Sequence, residues 1–234
     1  MTIKALVFDV FGTVVDWRGS LIADLSAFGA ARGIAADWPA LVDAWRGAYL
    51  PSMDRVRRGE QPWTILDHLH RATLDRLIGE FGIAGLSEAD RQHINYFWHQ
   101  LRPWPDSVAG LARLRRRFVI ATLSNGNVAL LTNLAKHAGL PWDTVFGADL
   151  FRHYKPDPET YLGACALLDL PPAEVMMVAA HNADLAAARA LGLATGFVPR
   201  PAEYAPGHAR DQAPAQAWDV VAREIEDLAT RLGA

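Results

Sequence analysis

The residues able to do chemistry fall in four short clusters, each at the end of an apolar run. Asp9 follows Ala5-Leu6-Val7-Phe8 and precedes Val10-Phe11-Gly12-Thr13. The second cluster is Ser124-Asn125-Gly126, the third Tyr154-Lys155-Pro156-Asp157 with Tyr161 close behind, and the fourth His181-Asn182-Ala183-Asp184. Asp9 is a candidate nucleophile or metal ligand, and Thr13 offers a hydroxyl beside it. Ser124 and Asn125 offer donors to a bound anion or a developing oxyanion. Lys155 can hold Asp9 ionised: at ~4 Å and an effective dielectric near ~20 the attraction is about 4 kcal/mol before desolvation. Asp184 can anchor Lys155 or orient a water. His181 can be a base, a donor to substrate or a packed side chain. Each cluster alone also reads as a turn, a cap or a surface ion pair; their convergence argues for a site.

That convergence depends on the elements that carry them. Residues 5–8 form an apolar run with no polar alternation, the pattern of a strand buried on both faces. Further strands are expected at 118–123, 144–147, 174–180 and 195–198, alternating with helices at 107–116, 128–138, 157–168 and 183–191. A terminal helix is expected at 220–232, after a loop at 204–216. Such alternation implies a parallel α/β sheet with right-handed crossovers, and in such sheets ligands bind at the carboxyl ends of the strands. Between the first strand and the rest lies a block without strand signals. It reads as four helices, at 17–32, 38–57, 62–81 and 87–101, the last opened by the capping-box-like Ser87-Glu88-Ala89-Asp90. Arg102-Pro103-Trp104-Pro105 closes it. The block is therefore an insertion at the functional edge of the sheet, placed to act as a lid.

Composition excludes several alternatives. The 234 residues are 51% hydrophobic and 21% charged, enough for a large core and unlike a disordered chain. The net charge of −3 carries no footprint for nucleic acid. The one basic run, residues 113–117, reads as a solvated helix end. A single cysteine, Cys165, rules out an intramolecular disulfide and is expected as a buried thiol. No signal peptide and no apolar run of membrane-spanning length is read, so a cytoplasmic protein without membrane contact is expected. No His/Cys cluster has zinc spacing, and no dinucleotide fingerprint or phosphate loop follows a strand.

Taken together and in order, the four clusters resemble the motifs of the haloacid dehalogenase superfamily: Asp9-Val10-Phe11-Gly12-Thr13, Leu123-Ser124-Asn125-Gly126, Lys155-Pro156-Asp157 and the Asp184 region. The resemblance implies an α/β fold with a Rossmann-like parallel sheet core (1–15 and 103–234) and a helical cap inserted after the first strand (16–102). Superfamily phosphatases carry a second aspartate two residues after the nucleophile, where this chain has Phe11. Asp184 is followed by Leu185 rather than a second acid. Both departures argue against phosphoryl transfer and against a metal. The subgroup resembled is the type II 2-haloacid dehalogenases, through Asp-x-Phe-Gly-Thr, the pair Trp45-Arg46, and Tyr154 to Asp157 with Tyr161.

This resemblance implies hydrolysis of short-chain 2-haloacids without a cofactor. Asp9 displaces halide from the α-carbon, and water hydrolyses the resulting ester. Arg46 and Asn125 would hold the halide, Thr13 and Ser124 would position the carboxylates, and Lys155 would stabilise Asp9. Phe11, Leu50, Trp63 and Tyr161 are the implied substrate contacts. A homodimer is expected because relatives are often dimers. The fourth cluster departs from the subgroup's Ser-Ser-Asn-x-Trp-Asp: here Ala179 replaces a serine, His181 the asparagine and Ala183 the tryptophan, so His181 is expected to take over water or substrate contacts. Two other readings stand beside this one: a phosphatase-like or other ester hydrolase of the same fold, and a non-enzymatic interaction protein that kept it.

Overall fold

The computed structural model describes residues 2–208 and 210–234. Met1, the first residue of the chain start read above, and Ala209, within the expected loop 204–216, lie outside the described residues. Strand β1 (Ala5–Phe8) has no exposed side chain, because both its faces and both its edges are covered. Leu6 and Phe8 pack into one hydrophobic cluster, Ala5 and Val7 into another on the opposite face. That period-two division explains why the strand reads as an unbroken apolar run.

After β1 the chain makes a short strand, β2 (Val15–Asp16), and enters the helices α1 (Trp17–Arg32), α2 (Trp38–Gly47), α3 (Tyr49–Arg57), α4 (Leu66–Glu80) and α5 (Glu88–Tyr96). It leaves them through β3 (Arg102–Pro103), which pairs antiparallel with β2. This two-stranded stem pins both ends of the helical block together, and strands of two residues carry no periodicity by which a sequence could mark them. The block's core is continuous with the Leu6/Phe8 face of the sheet, and its buried Trp17, Trp45 and Trp98 belong to that same hydrophobic cluster.

The remaining elements are α6 (Ser107–Leu114), β4 (Val119–Ser124), α7 (Val128–Ala138), β5 (Thr144–Gly147), α8 (Ala148–Phe151), α9 (Pro158–Leu167), β6 (Val175–Ala179), α10 (Asn182–Ala190), β7 (Ala194–Phe197), β8 (Val220–Val221) and α11 (Ile225–Arg231). The main sheet runs β5-β4-β1-β6-β7-β8, with every pair parallel. β1 thus lies between β4 and β6, and the carboxyl ends of all three face the same edge.

Four expectations change. The single helix at 38–57 is two, α2 and α3, broken at Ala48. Pro51 has no N–H to return to Gly47, and its ring crowds that carbonyl. The helix expected from 62 begins at Leu66, after an extended Ile65. The terminal helix expected at 220–232 is split, because Val220–Val221 extends the sheet beside β7. The basic run is exposed at Arg115, Arg116 and Arg117 but is more than a solvated end: Arg113 donates to the carbonyls of Glu226 and Ala234, and Arg117 to that of Gly233, tying down the C-terminal helix. Cys165 is buried as expected, and burial pushes its thiol up to about 11. Among the described residues no helix is long and apolar enough to cross a membrane.

Candidate active site

Asp9 sits one residue past β1, still tied to the sheet by its N–H on the Val178 carbonyl at 3.0 Å. The turn that follows needs Gly12, whose φ is +89°. It returns Thr13 so that its hydroxyl donates to Asp9 Oδ2 at 2.7 Å. The Ala180 N–H, past the end of β6, in turn donates to Thr13 Oγ1 at 2.9 Å. The nucleophile candidate is thereby held by two neighbouring strand ends.

The charges around it alternate. Asp184 and Asp9 share the Lys155 ammonium: Nζ donates to Asp9 Oδ1 at 3.0 Å and makes a closer contact with Asp184 Oδ2. His181 Nδ1 lies 3.1 Å from Asp9 Oδ2, and its Nε2 lies 3.0 Å from Glu203 Oε2. Glu203 also accepts from Trp17 Nε1 at 3.1 Å and lies 3.9 Å from Arg46 Nη2. The order is therefore acid, lysine, acid, histidine, acid, arginine, almost entirely out of water. Burial alone would raise Asp9, but Lys155, His181 and Thr13 together hold it far below the usual carboxylate range. Burial would lower His181, yet Glu203 and Asp9 on either side raise it to about 10, so it is an imidazolium at neutral pH. Burial likewise opposes the charge on Lys155, and Asp184 and Asp9 lift it well above the ordinary lysine value.

The other clusters arrive as the topology requires. Asn125, past β4, accepts the Lys155 backbone N–H on Oδ1 at 2.7 Å. Ser124 Oγ accepts the Gly126 N–H at 3.2 Å. Tyr161 donates to Asp184 Oδ1 at 2.6 Å, which makes it an anchor of that carboxylate rather than the substrate contact expected of it. From the helical block, Arg46 is buried with Nη1 unpartnered. Its guanidinium lies 4.2 Å from the centre of the Tyr49 ring. Phe11 is buried edge-on to Tyr49 and Trp98. Asp9, Thr13, Arg46, Ser124, Asn125, Lys155, His181, Asp184 and Phe11 thus gather at one sheet edge.

Two expected contacts do not join them. Leu50 is 59% exposed and points to solvent, because the break at Ala48 turns α3 relative to α2. Trp63 is half-buried against Tyr154, with ring centroids 4.8 Å apart. Two residues were missed. Tyr49 lies just past the break at Ala48, so its place beside Arg46 comes from that break and not from the spacing of one continuous helix. Glu203 comes from an irregular Pro-Arg-Pro-Ala-Glu stretch with no periodicity, and no local pattern marks it.

Glu203 also explains Gly12. A Cβ there would lie 2.1 Å from Glu203 Oε1, besides being strained at φ +89°. Gly12→Ala is expected to cost about 1–3 kcal/mol. In a double-mutant cycle with Glu203→Ala, read by urea midpoints, part of that cost should return; strict additivity would show that the two do not collide.

The donor set does not suit a divalent cation. Asp9 and Asp184 already share the chain's own ammonium, and the place of a further acid is taken by Phe11. Among the described residues no group of three or more His, Cys, Asp or Glu side chains is arranged to hold a metal.

Comparison with known proteins agrees with this geometry. Residues 3–192 match the family model described as a haloacid dehalogenase-like hydrolase. (S)-2-haloacid dehalogenase 1 of Pseudomonas sp. (strain CBS-3) is 31% identical over 209 residues, 86% of this chain and 88% of its own. The crystal structure of the L-2-haloacid dehalogenase PA0810 superposes with a TM-score of 0.96 at 56% identity, covering 99% of both chains. That of the defluorinating L-2-haloacid dehalogenase Rha0230 gives 0.96 at 45% identity, covering 99% of this chain and 96% of that one. With a sheet of this order, a carboxylate at the end of its central strand and a family match over most of its length, this chain belongs to the haloacid dehalogenase-like hydrolases.

Proposed function

We propose that the protein hydrolyses short-chain 2-haloacids to 2-hydroxyacids, with Asp9 as nucleophile. The observation that carries this is the asymmetry of the Asp9 carboxylate. Oδ2 receives two donors, Thr13 and His181; Oδ1 receives only Lys155. Oδ1 is the freer oxygen and attacks the α-carbon. The carbon–halogen bond breaks, and the halide leaves with its electron pair toward Arg46 and Asn125. Phe11 presents an apolar edge where a phosphatase would need an acid.

The ester then carries Oδ2 as its carbonyl oxygen. Water, oriented by Asp184, adds to the carboxyl carbon. The developing oxyanion on Oδ2 already lies against the Thr13 hydroxyl and the His181 imidazolium, an arrangement that needs no reorganisation. Asp184 accepts one proton of that water and returns it to Oδ1 as collapse breaks the bond from the carbon to Oδ1, so the hydroxyacid leaves with the original Asp9 oxygen; the new Asp9 carboxyl, held far below the usual range, releases its proton to solvent. Ser124 positions the substrate carboxylate. The helical block 16–102 serves as a cap that excludes water from the displacement step. A cytoplasmic location and a homodimer belong to the same reading, checked by cell fractionation and size-exclusion chromatography.

The test is a single turnover of chloroacetate in heavy-oxygen water with enzyme in excess. Chloride should be released, and the glycolate of that first turnover should be unlabelled, the label residing in Asp9. Glycolate labelled in the first turnover would mean direct attack by water, and absence of chloride would end the reading.

A further inference from the structure

The reading above gives the departing halide two donors, Arg46 and Asn125. The surroundings of Tyr49 supply another. Its ring is buried, lies under the Arg46 guanidinium at 4.2 Å and meets Phe11 edge-on at 6.4 Å. Asn125 is orientated from behind, because Oδ1 is taken by the Lys155 N–H, which leaves its NH₂ as the group free to donate. The Tyr49 hydroxyl donates to no acceptor of the chain among the described residues, so its own proton is free to point onward. Burial raises the Tyr49 hydroxyl above its ordinary value despite the Arg46 charge stacked on the ring, so it keeps that proton. Arg46 Nη1 beside it is buried without a partner. Three donors therefore converge next to Phe11, two residues from the nucleophile.

We infer that the Tyr49 hydroxyl is a third halide donor and that it sets the enzyme's preference toward fluoride. The inference rests on the dehalogenase reading and deepens it. Fluoride is the smallest halide and the strongest hydrogen-bond acceptor, and the charge it gathers as the bond breaks is the most concentrated. A neutral O–H aimed at it gains most in the transition state, where catalysis is decided. Chloride and bromide are larger, more diffuse acceptors and draw less from the same donor. The guanidinium stacked on the ring fixes the hydroxyl's position, so little ordering is left to the reaction.

Tyr49→Phe keeps the ring, its stack on Arg46 and its edge on Phe11, and removes only the hydroxyl. Fluoride release from fluoroacetate and chloride release from chloroacetate are measured on the same preparation, so their ratio is independent of the folded fraction. Fluoride release should fall on the order of 30-fold, as loss of a hydrogen bond to a charged acceptor predicts, and chloride release by no more than about threefold. Equal losses for the two halides, or no loss for fluoride, would overturn the assignment. So would a wild type that releases chloride but no fluoride. A wild type that releases neither defeats the dehalogenase reading itself, which separates the two failures.

Discussion

Asp9→Asn should abolish halide release from every 2-haloacid, by on the order of 10⁴-fold or more, the scale seen when a covalent nucleophile is removed. An amide oxygen is a poor nucleophile, and no other carboxylate can replace it: Asp184 is held by Lys155 and Tyr161, Glu203 by His181 and Trp17. The variant should fold. Lys155 keeps Asp184 and His181 keeps Glu203, so no cation is stranded. The substitution also removes a buried carboxylate whose desolvation works against the fold. Its pH dependence should change in a defined direction. A carboxylate whose folded pKa is depressed contributes stability that is present above its unfolded pKa and lost as pH falls through the acid range. The wild type should therefore lose stability below about pH 4 more steeply than Asp9→Asn. Ion chromatography reads the first expectation and urea titrations at successive pH values the second. Residual turnover within about tenfold of wild type would remove Asp9 from the nucleophile's role.

How much of this was legible beforehand differs by residue. Asp9 stood out because β1 is buried on both faces, leaving one polar residue at the end of an apolar run. Lys155 and Asp184 were legible as strand-end residues, and parallel topology makes such ends meet. Phe11 could be weighed because its chemistry excludes proton transfer whatever its orientation. The helical block hid more. Leu50 was expected to face the substrate on a continuous helix, but a missing N–H at Pro51 rotates that helix, and Tyr49 occupies the site instead. Glu203 was invisible. It is an ordinary acid in an irregular segment, and only the folded chain brings it under Gly12 and against His181. His181 was consequently read with several roles open, since its charge depends on that carboxylate.

That charge decides between those roles. A histidine that acts as the base toward water must be neutral, whereas one that stabilises an oxyanion must keep its proton. With Glu203 3.0 Å from Nε2 and Asp9 3.1 Å from Nδ1, the imidazolium is favoured up to about pH 10. Esterification of Asp9 removes one of those charges and lowers that limit, but Glu203 remains. Hydrolysis of the ester should therefore slow as pH rises through that lowered limit, whereas a base would make it accelerate over the same interval. His181→Gln should still displace halide once, and then stall with a carboxymethyl group on Asp9, with ester hydrolysis slower on the order of 10²- to 10³-fold. Intact-mass spectrometry after mixing with chloroacetate reads the adduct, and its decay reads the second step. Stability gives an independent check. A histidine whose folded pKa is raised stabilises fully below its unfolded value near 6.5, and that contribution disappears as pH rises through about 10. Wild type should therefore lose urea resistance across that alkaline interval, and His181→Gln should lose less. Rapid decay of the adduct in His181→Gln would remove His181 from ester hydrolysis in either role and leave Oδ2 to Thr13 alone, whereas ester hydrolysis that accelerates with pH in the wild type would return His181 to the role of base.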